Sequence, residues 1–163
     1  MIRPAQDNSE TILLVEDHLV LLELIKHILG NAGFTVIPAC NAKEALLLEA
    51  GHPGTIDLLL SDVRMRGLSG PDLATRLKEK RPKMCVVLMS GYPDGASLAL
   101  DRGWHYIQKP FMAPALVNTI RGILRAEHGS AVGATRPEAP AMRYLRADAN
   151  DRVDKLVPIP DYS

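Results

Sequence analysis

Short apolar runs that break off at polar residues recur along the chain, and most are followed by a segment whose apolar positions return at helical spacing. Thr11–Val15 (TILLV) stops at Glu16 and Asp17, the run inside 56–72 (IDLLLSDVRMRGLSGPD) stops at Ser61 and Asp62, and 84–89 (MCVVLM) stops at Ser90 and Gly91. Runs of strand length without polar alternation predict strands buried on both faces. Residues 34–37 and His105–Gln108 predict two more strands. Residues 19–29 predict a helix with Glu23, Lys26, His27 and Asn31 on its polar face, stopped by Gly30 and Gly33. Asn41 suits the N-cap of a second helix, through Ala50. Gly67, Ser69 and Gly70 supply turn chemistry before a helix over 71–80. Its N-cap is expected near Gly70 with Pro71 first inside, and Lys78, Lys80 and Arg81 give it a cationic end that suits its dipole. A short helical piece over 96–101 and an amphipathic helix over 113–127 complete the pattern.

Five alternations of strand and helix argue for an α/β fold, a parallel sheet with helices on both faces. Right-handed crossovers leave few topologies. In such sheets chemistry collects outside the carboxyl ends of the strands. Those ends carry Glu16, Asp17, Asp62, Ser90 and Lys109. Three carboxylates on one edge repel unless a cation sits between them, and Mg²⁺ suits oxygen ligands and a phosphate oxygen. With Lys109 as a compact positive charge and Ser90 as a hydroxyl donor, Asp62 is a nucleophile suited to accept a phosphoryl group. Singly, each residue has a plainer reading: Asp62 as a cap or turn former, Ser90 as a turn residue, Tyr106 as a core ring. Convergence of the strand ends favours the chemical reading for Asp62 and Ser90, and leaves Tyr106 open.

Composition narrows the partners. With 163 residues the chain suits one domain with a proper core. Lys+Arg 19 balances Asp+Glu 19, so no field favours nucleic acid or an anionic membrane, and the partner is a protein or a small ion. The two cysteines, Cys40 and Cys85, lack CxxC or metal-ligand spacing and read as core residues in a reducing compartment. The N-terminus has no apolar signal core, and Glu23, Lys26 and His27 interrupt the longest apolar stretch, so no membrane span and a cytoplasmic location are expected. His18, His27, His52, His105 and His128 do not recur at metal spacing and read as structural. Trp104 reads as packing and Arg66 as a solvated loop charge. Residues 1–9 read as a flexible N-terminus, 10–128 as the folded domain, and 129–163 as a linker-like or disordered tail in which DRVDKLV is a docking segment.

The set Glu16-Asp17, Asp62 with Met65 and Gly70, Ser90-Gly91, and Lys109-Pro110-Phe111 resembles the receiver domain of two-component response regulators, over about 10–127. The resemblance implies a flavodoxin-like five-stranded sheet of order 2-1-3-4-5. It makes Asp62 the phosphoacceptor and Asp17 the main Mg²⁺ ligand, with Glu16, Asp62 and the backbone carbonyl of Arg64 completing the metal site. Ser90 and Lys109 would contact the phosphoryl group, Ser90 and Tyr106 would serve as switch residues, and the Lys109–Pro110 bond would be cis. The phosphoryl donor implied is a histidine kinase or histidine phosphotransfer protein, and the downstream target is an unknown protein. A homodimer stays open. SGY at Ser90 to Tyr92 and QKPF at Gln108 to Phe111 are similar to receivers fused to hybrid histidine kinases, although this chain holds no kinase segment and reads as a single-domain response regulator, not an enzyme. Arg66 stands where the family usually has proline, and the interval from Ser90 to Lys109 is about one helical turn shorter than in many members. Two rival readings remain: a receiver-fold interaction scaffold indifferent to phosphorylation, and a phosphohydrolase, for which the second acid after Asp62 is replaced by Arg64.

Overall fold

The element order is β1 (Thr11–Val15), α1 (Leu19–Asn31), β2 (Thr35–Ala39), α2 (Ala42–Gly51), β3 (Leu58–Asp62), α3 (Gly70–Lys80), β4 (Cys85–Ser90), α4 (Asp94–Asp101), β5 (His105–Gln108) and α5 (Ala113–Gly129). This is the computed structural model of the chain, and it describes residues 9–129. The expected flexible N-terminus, except for Ser9, and the expected tail over 129–163, except for Gly129, lie outside the described residues; Gly129 closes helix α5 and is no part of a linker.

The five strands are all parallel in order β2-β1-β3-β4-β5, as the resemblance implied. The interior strands are sealed on both faces. Ile12, Leu14, Leu58, Leu60, Val87 and Met89 pack on one side with α1 and α5, while Leu13, Val15, Leu59, Val86 and Leu88 pack on the other with α2 and α3. Strict alternation between the two cores explains why the runs carry no polar break until the last one or two residues of β3 and β4.

Most element bounds shift by one or two residues from the sequence pattern: α1 runs past Gly30, which does not stop it, to Asn31, and α5 reaches Gly129. Three shifts have a local cause. Strand β2 runs two residues past Ile37, through Pro38. It is an edge strand: Thr35 N donates to Glu10 O and Ala39 O accepts from Glu16 N, so Pro38 turns its ring nitrogen away from β1 and costs no ladder bond. Helix α3 begins one residue earlier than expected, because Ser69 is its N-cap and accepts from Asp72 N. Helix α4 is short, as expected, but starts at Asp94, after Pro93 in helical conformation and without a side-chain cap.

At the opposite end of the sheet, Glu49 of α2 is buried and pairs with Arg81 at the end of α3, Nε to Oε1 at 2.9 Å. The same guanidinium donates to the carbonyls of Glu49, His52 and Gly54. One side chain thus closes the loop that feeds β3.

Candidate functional site

The site forms where β1, β3, β4 and β5 run out. After Val15 the chain turns so that Glu16 points inward, 1 % exposed, while Asp17 faces solvent. Glu16 Oε1 accepts from His18 N at 3.1 Å, and His18 in turn caps α1 by accepting from Leu21 N through Nδ1 at 3.3 Å. That local bond holds Glu16 Oε1 from within its own turn.

Asp62 closes β3 in register with Met89 of β4. The turn beyond it is held by Val63 N to Met89 O at 2.9 Å and Gly70 N to Val63 O at 3.1 Å. The start of α3 lies so close to the strand end that a Cβ on Gly70 would stand 2.0 Å from Asp62 O. Gly70 is thus a contact residue as well as a turn former.

From β5, Lys109 N donates to Ser90 O at 2.9 Å, and the Lys109–Pro110 bond is cis. The Lys109 ammonium donates to Glu16 Oε2 at 2.6 Å and lies 3.4 Å from Asp62 Oδ1. Ser90 is buried, and its Oγ accepts from Tyr92 N at 3.1 Å, which leaves its O–H proton uncommitted by that bond. The Tyr106 hydroxyl lies 3.0 Å from Ser90 O and 2.9 Å from Tyr92 O, donating to this loop. A Cβ on Gly95 would stand 2.9 Å from the Tyr106 ring. Tyr106 itself is partly buried against the α2–α3 side of the core.

Ligand atoms of Glu16, Asp17 and Asp62 all lie within 4.8 Å of one another. Burial pushes the Asp62 carboxyl above its ordinary value; Lys109 pulls it down, and Glu16 and Asp17 push it up again. One ammonium among three carboxylates leaves a net negative, oxygen-only pocket, a donor set that fits Mg²⁺. Of the residues singled out in the sequence, Glu16, Asp17, Asp62 and Lys109 meet here, and Ser90 is tied to Lys109 through its backbone carbonyl. The guanidinium of Arg64 lies over the Tyr92 ring, 4.2 Å from its centroid, while Arg66 is exposed.

Sequence reasoning missed the close-approach roles of Gly70 and Gly95 and the part of Tyr92. A glycine in the first turn of each following helix was the available signal for the first two.

The sequence profile of the response regulator receiver domain matches residues 12–121. The chain belongs to this family. Among curated relatives, it is 38% identical over 122 residues to the transcriptional regulatory protein CpxR of Escherichia coli K12, covering 73% of this chain and 51% of that protein. It is 31% identical over 122 residues to the sensor kinase CckA of Brucella abortus, covering 73% of this chain and 13% of that protein. The chain thus spans about half, or much less, of the length of these relatives. Among solved structures, the receiver domain of hybrid histidine kinase CckA matches with TM-score 0.61 and 31% identity over 70% of this chain and 98% of that one. A receiver domain from Clostridium thermocellum matches with TM-score 0.68 and 29% identity over 74% and 98%. Receiver domains take part in two-component signalling with histidine kinases or phosphotransfer proteins. Among the described residues no helix is long and apolar enough to cross a membrane.

Proposed function

We propose that this receiver domain accepts a phosphoryl group on Asp62 from a phosphohistidine donor and signals by binding a protein partner differently once phosphorylated. The observation that carries this is the position of Lys109, 3.4 Å from Asp62 Oδ1 inside the three-carboxylate pocket. In the transfer, an Asp62 oxygen forms a bond to phosphorus as the phosphorus–nitrogen bond of the donor breaks, and the nitrogen keeps the electron pair. Lys109 offsets the charge that gathers on the phosphoryl oxygens, and the Ser90 hydroxyl donates to one of them. Asp17 and Asp62, with Glu16 and the Arg64 carbonyl, would hold Mg²⁺. When bound, it neutralises the carboxylates and the transferred oxygens.

The added charge and acceptor oxygens at Asp62 bias the Ser90–Tyr92 loop and Tyr106, which already share hydrogen bonds. On this reading the domain is a cytoplasmic signalling protein with no turnover of an external substrate. Intact mass after incubation with acetyl phosphate, and separately with a phosphohistidine donor, tests it with and without Mg²⁺. One Mg²⁺-dependent adduct that vanishes in Asp62→Asn is expected. Equal labelling of Asp62→Asn, or no labelling from either donor, overturns the reading and leaves the fixed-scaffold alternative.

A further inference from the structure

We infer that Ser61 is a positioning residue for the phosphoryl transfer: its buried hydroxyl holds the backbone of Asp62, and with it the aim of the acceptor carboxylate. The inference rests on Asp62 being the acceptor.

Ser61 follows three leucines in β3 and is 0 % exposed. A hydroxyl in such a place costs free energy unless it is hydrogen-bonded. Its Oγ donates to Asp62 O at 3.0 Å. The sheet explains why that carbonyl needs a donor. Along a parallel strand the backbone groups of successive residues face alternate neighbours. Val63 N donates to Met89 O, so residue 63 faces β4 and residue 62 faces β1. Strand β1 ends at Val15, which is paired with Ser61, so the ladder supplies no further N–H for the Asp62 carbonyl. The Ser61 hydroxyl takes the place of that missing rung.

From the other side α3 closes over the same atom. A Cβ on Gly70 would stand 2.0 Å from Asp62 O and 3.1 Å from Ser61 Oγ. The carbonyl is therefore held between a hydroxyl and a helix start, and Gly70 N is tied in turn to Val63 O. Without the hydroxyl the Asp62 carbonyl loses its donor where Gly70 leaves little room, and finding another requires the Asp62–Val63 peptide to turn. That rotation re-aims two groups at once: the Asp62 carboxylate, whose Oδ1 lies 3.4 Å from Lys109 Nζ, and the loop that carries the Arg64 carbonyl. Ser61 acts through Asp62 in this account and makes no bond to the reacting atoms.

The test is the rate of labelling by acetyl phosphate over a series of Mg²⁺ concentrations, followed by intact mass, at a temperature well below the melting midpoint of every protein compared. Wild type is set beside Ser61→Ala, Ser61→Cys and Ser61→Thr. Alanine removes the donor, cysteine fills the same space with a weak donor, and threonine keeps the hydroxyl. Ser61→Ala and Ser61→Cys are each expected to label about 3- to 10-fold more slowly, the worth of one hydrogen bond, and to need more Mg²⁺ for half-maximal rate. Ser61→Thr should label like wild type. A residue that only supported the fold would lower the melt and leave labelling of the folded protein unchanged; that result in Ser61→Ala overturns the inference. So does a wild-type rate in Ser61→Cys beside a slow Ser61→Ala, which assigns the effect to packing, or a folded Ser61→Thr as slow as Ser61→Ala. The alanine and cysteine rates decide alone if the added methyl beside Gly70 unfolds Ser61→Thr. Absence of an adduct on wild type from both acetyl phosphate and a phosphohistidine donor sinks the reading of Asp62 and this inference with it. Labelling of wild type with an equal rate in Ser61→Ala sinks this inference alone.

Discussion

Lys109 sits 0.8 Å closer to Glu16 than to Asp62, at 2.6 Å against 3.4 Å. The shorter contact is to the more deeply buried carboxylate, and a buried acid left without its cation is the costlier loss. Lys109→Met is therefore expected to lower unfolding free energy by about 2–4 kcal/mol in chelator, measured by urea denaturation. Added Mg²⁺ should recover part of that loss, because it binds the folded acids and not the unfolded chain. Replacing Asp62 by Asn in the same background removes one of the three repelling charges and should recover part of it without metal.

Gly70→Ala is expected to cost at least about 2 kcal/mol, because its Cβ would stand 2.0 Å from the backbone oxygen of Asp62 and no flexible side chain can give way. Since the strain falls on the phosphoacceptor strand, labelling by acetyl phosphate should fall too. Gly95→Ala meets the edge of the Tyr106 ring instead. It should be better tolerated in a thermal melt while loosening the Tyr106 bonds to the Ser90–Tyr92 loop.

The ion pair at the far end of the sheet predicts a different outcome. Arg81→Ala strands buried Glu49 with only the more exposed Lys80, 3.4 Å away, and should cost about 3 kcal/mol by urea midpoint. Arg81→Lys should rescue little, since one ammonium cannot reach the carboxylate and three carbonyls together. A Glu49→Gln/Arg81→Ala double variant should be milder than Arg81→Ala alone.

The cysteines should separate by pH. Burial pushes the Cys85 thiol up to about 11. The folded protein therefore holds its proton where the unfolded chain, near 9.0, has begun to lose it. Between those values the unfolded state binds fewer protons, so stability falls as pH rises from about 9 to about 11. Below 9.0 the contribution is fully present. Cys85→Ser should not show this loss. At pH 8 iodoacetamide should label Cys40, whose thiol is raised mainly by its contact with Glu44 but is only partly buried, and leave Cys85 intact.

Much of the site was legible because its residues sit at the ends of apolar runs, and parallel topology brings such ends together. Glu16 and Lys109 are 93 positions apart and still meet. The Glu49–Arg81 pair was hidden for the converse reason: Glu49 lies on α2 and Arg81 just past α3 at the opposite end, where no strand end announces them, and Arg81 reads equally well as a dipole partner. Pro38 ended the expected second strand early because proline reads as a breaker until the strand is known to be at an edge. The start of α4 was missed because no side chain caps it.

Pro38 has a consequence for assembly. An open sheet edge invites another strand to add to it, and chains that expose such edges can template their own aggregation. With a ring in place of an outward N–H, the β2 margin lacks one donor that an incoming strand would require. Growth of the sheet across that margin is thereby discouraged, which favours association through helices and loops over fibre-like stacking.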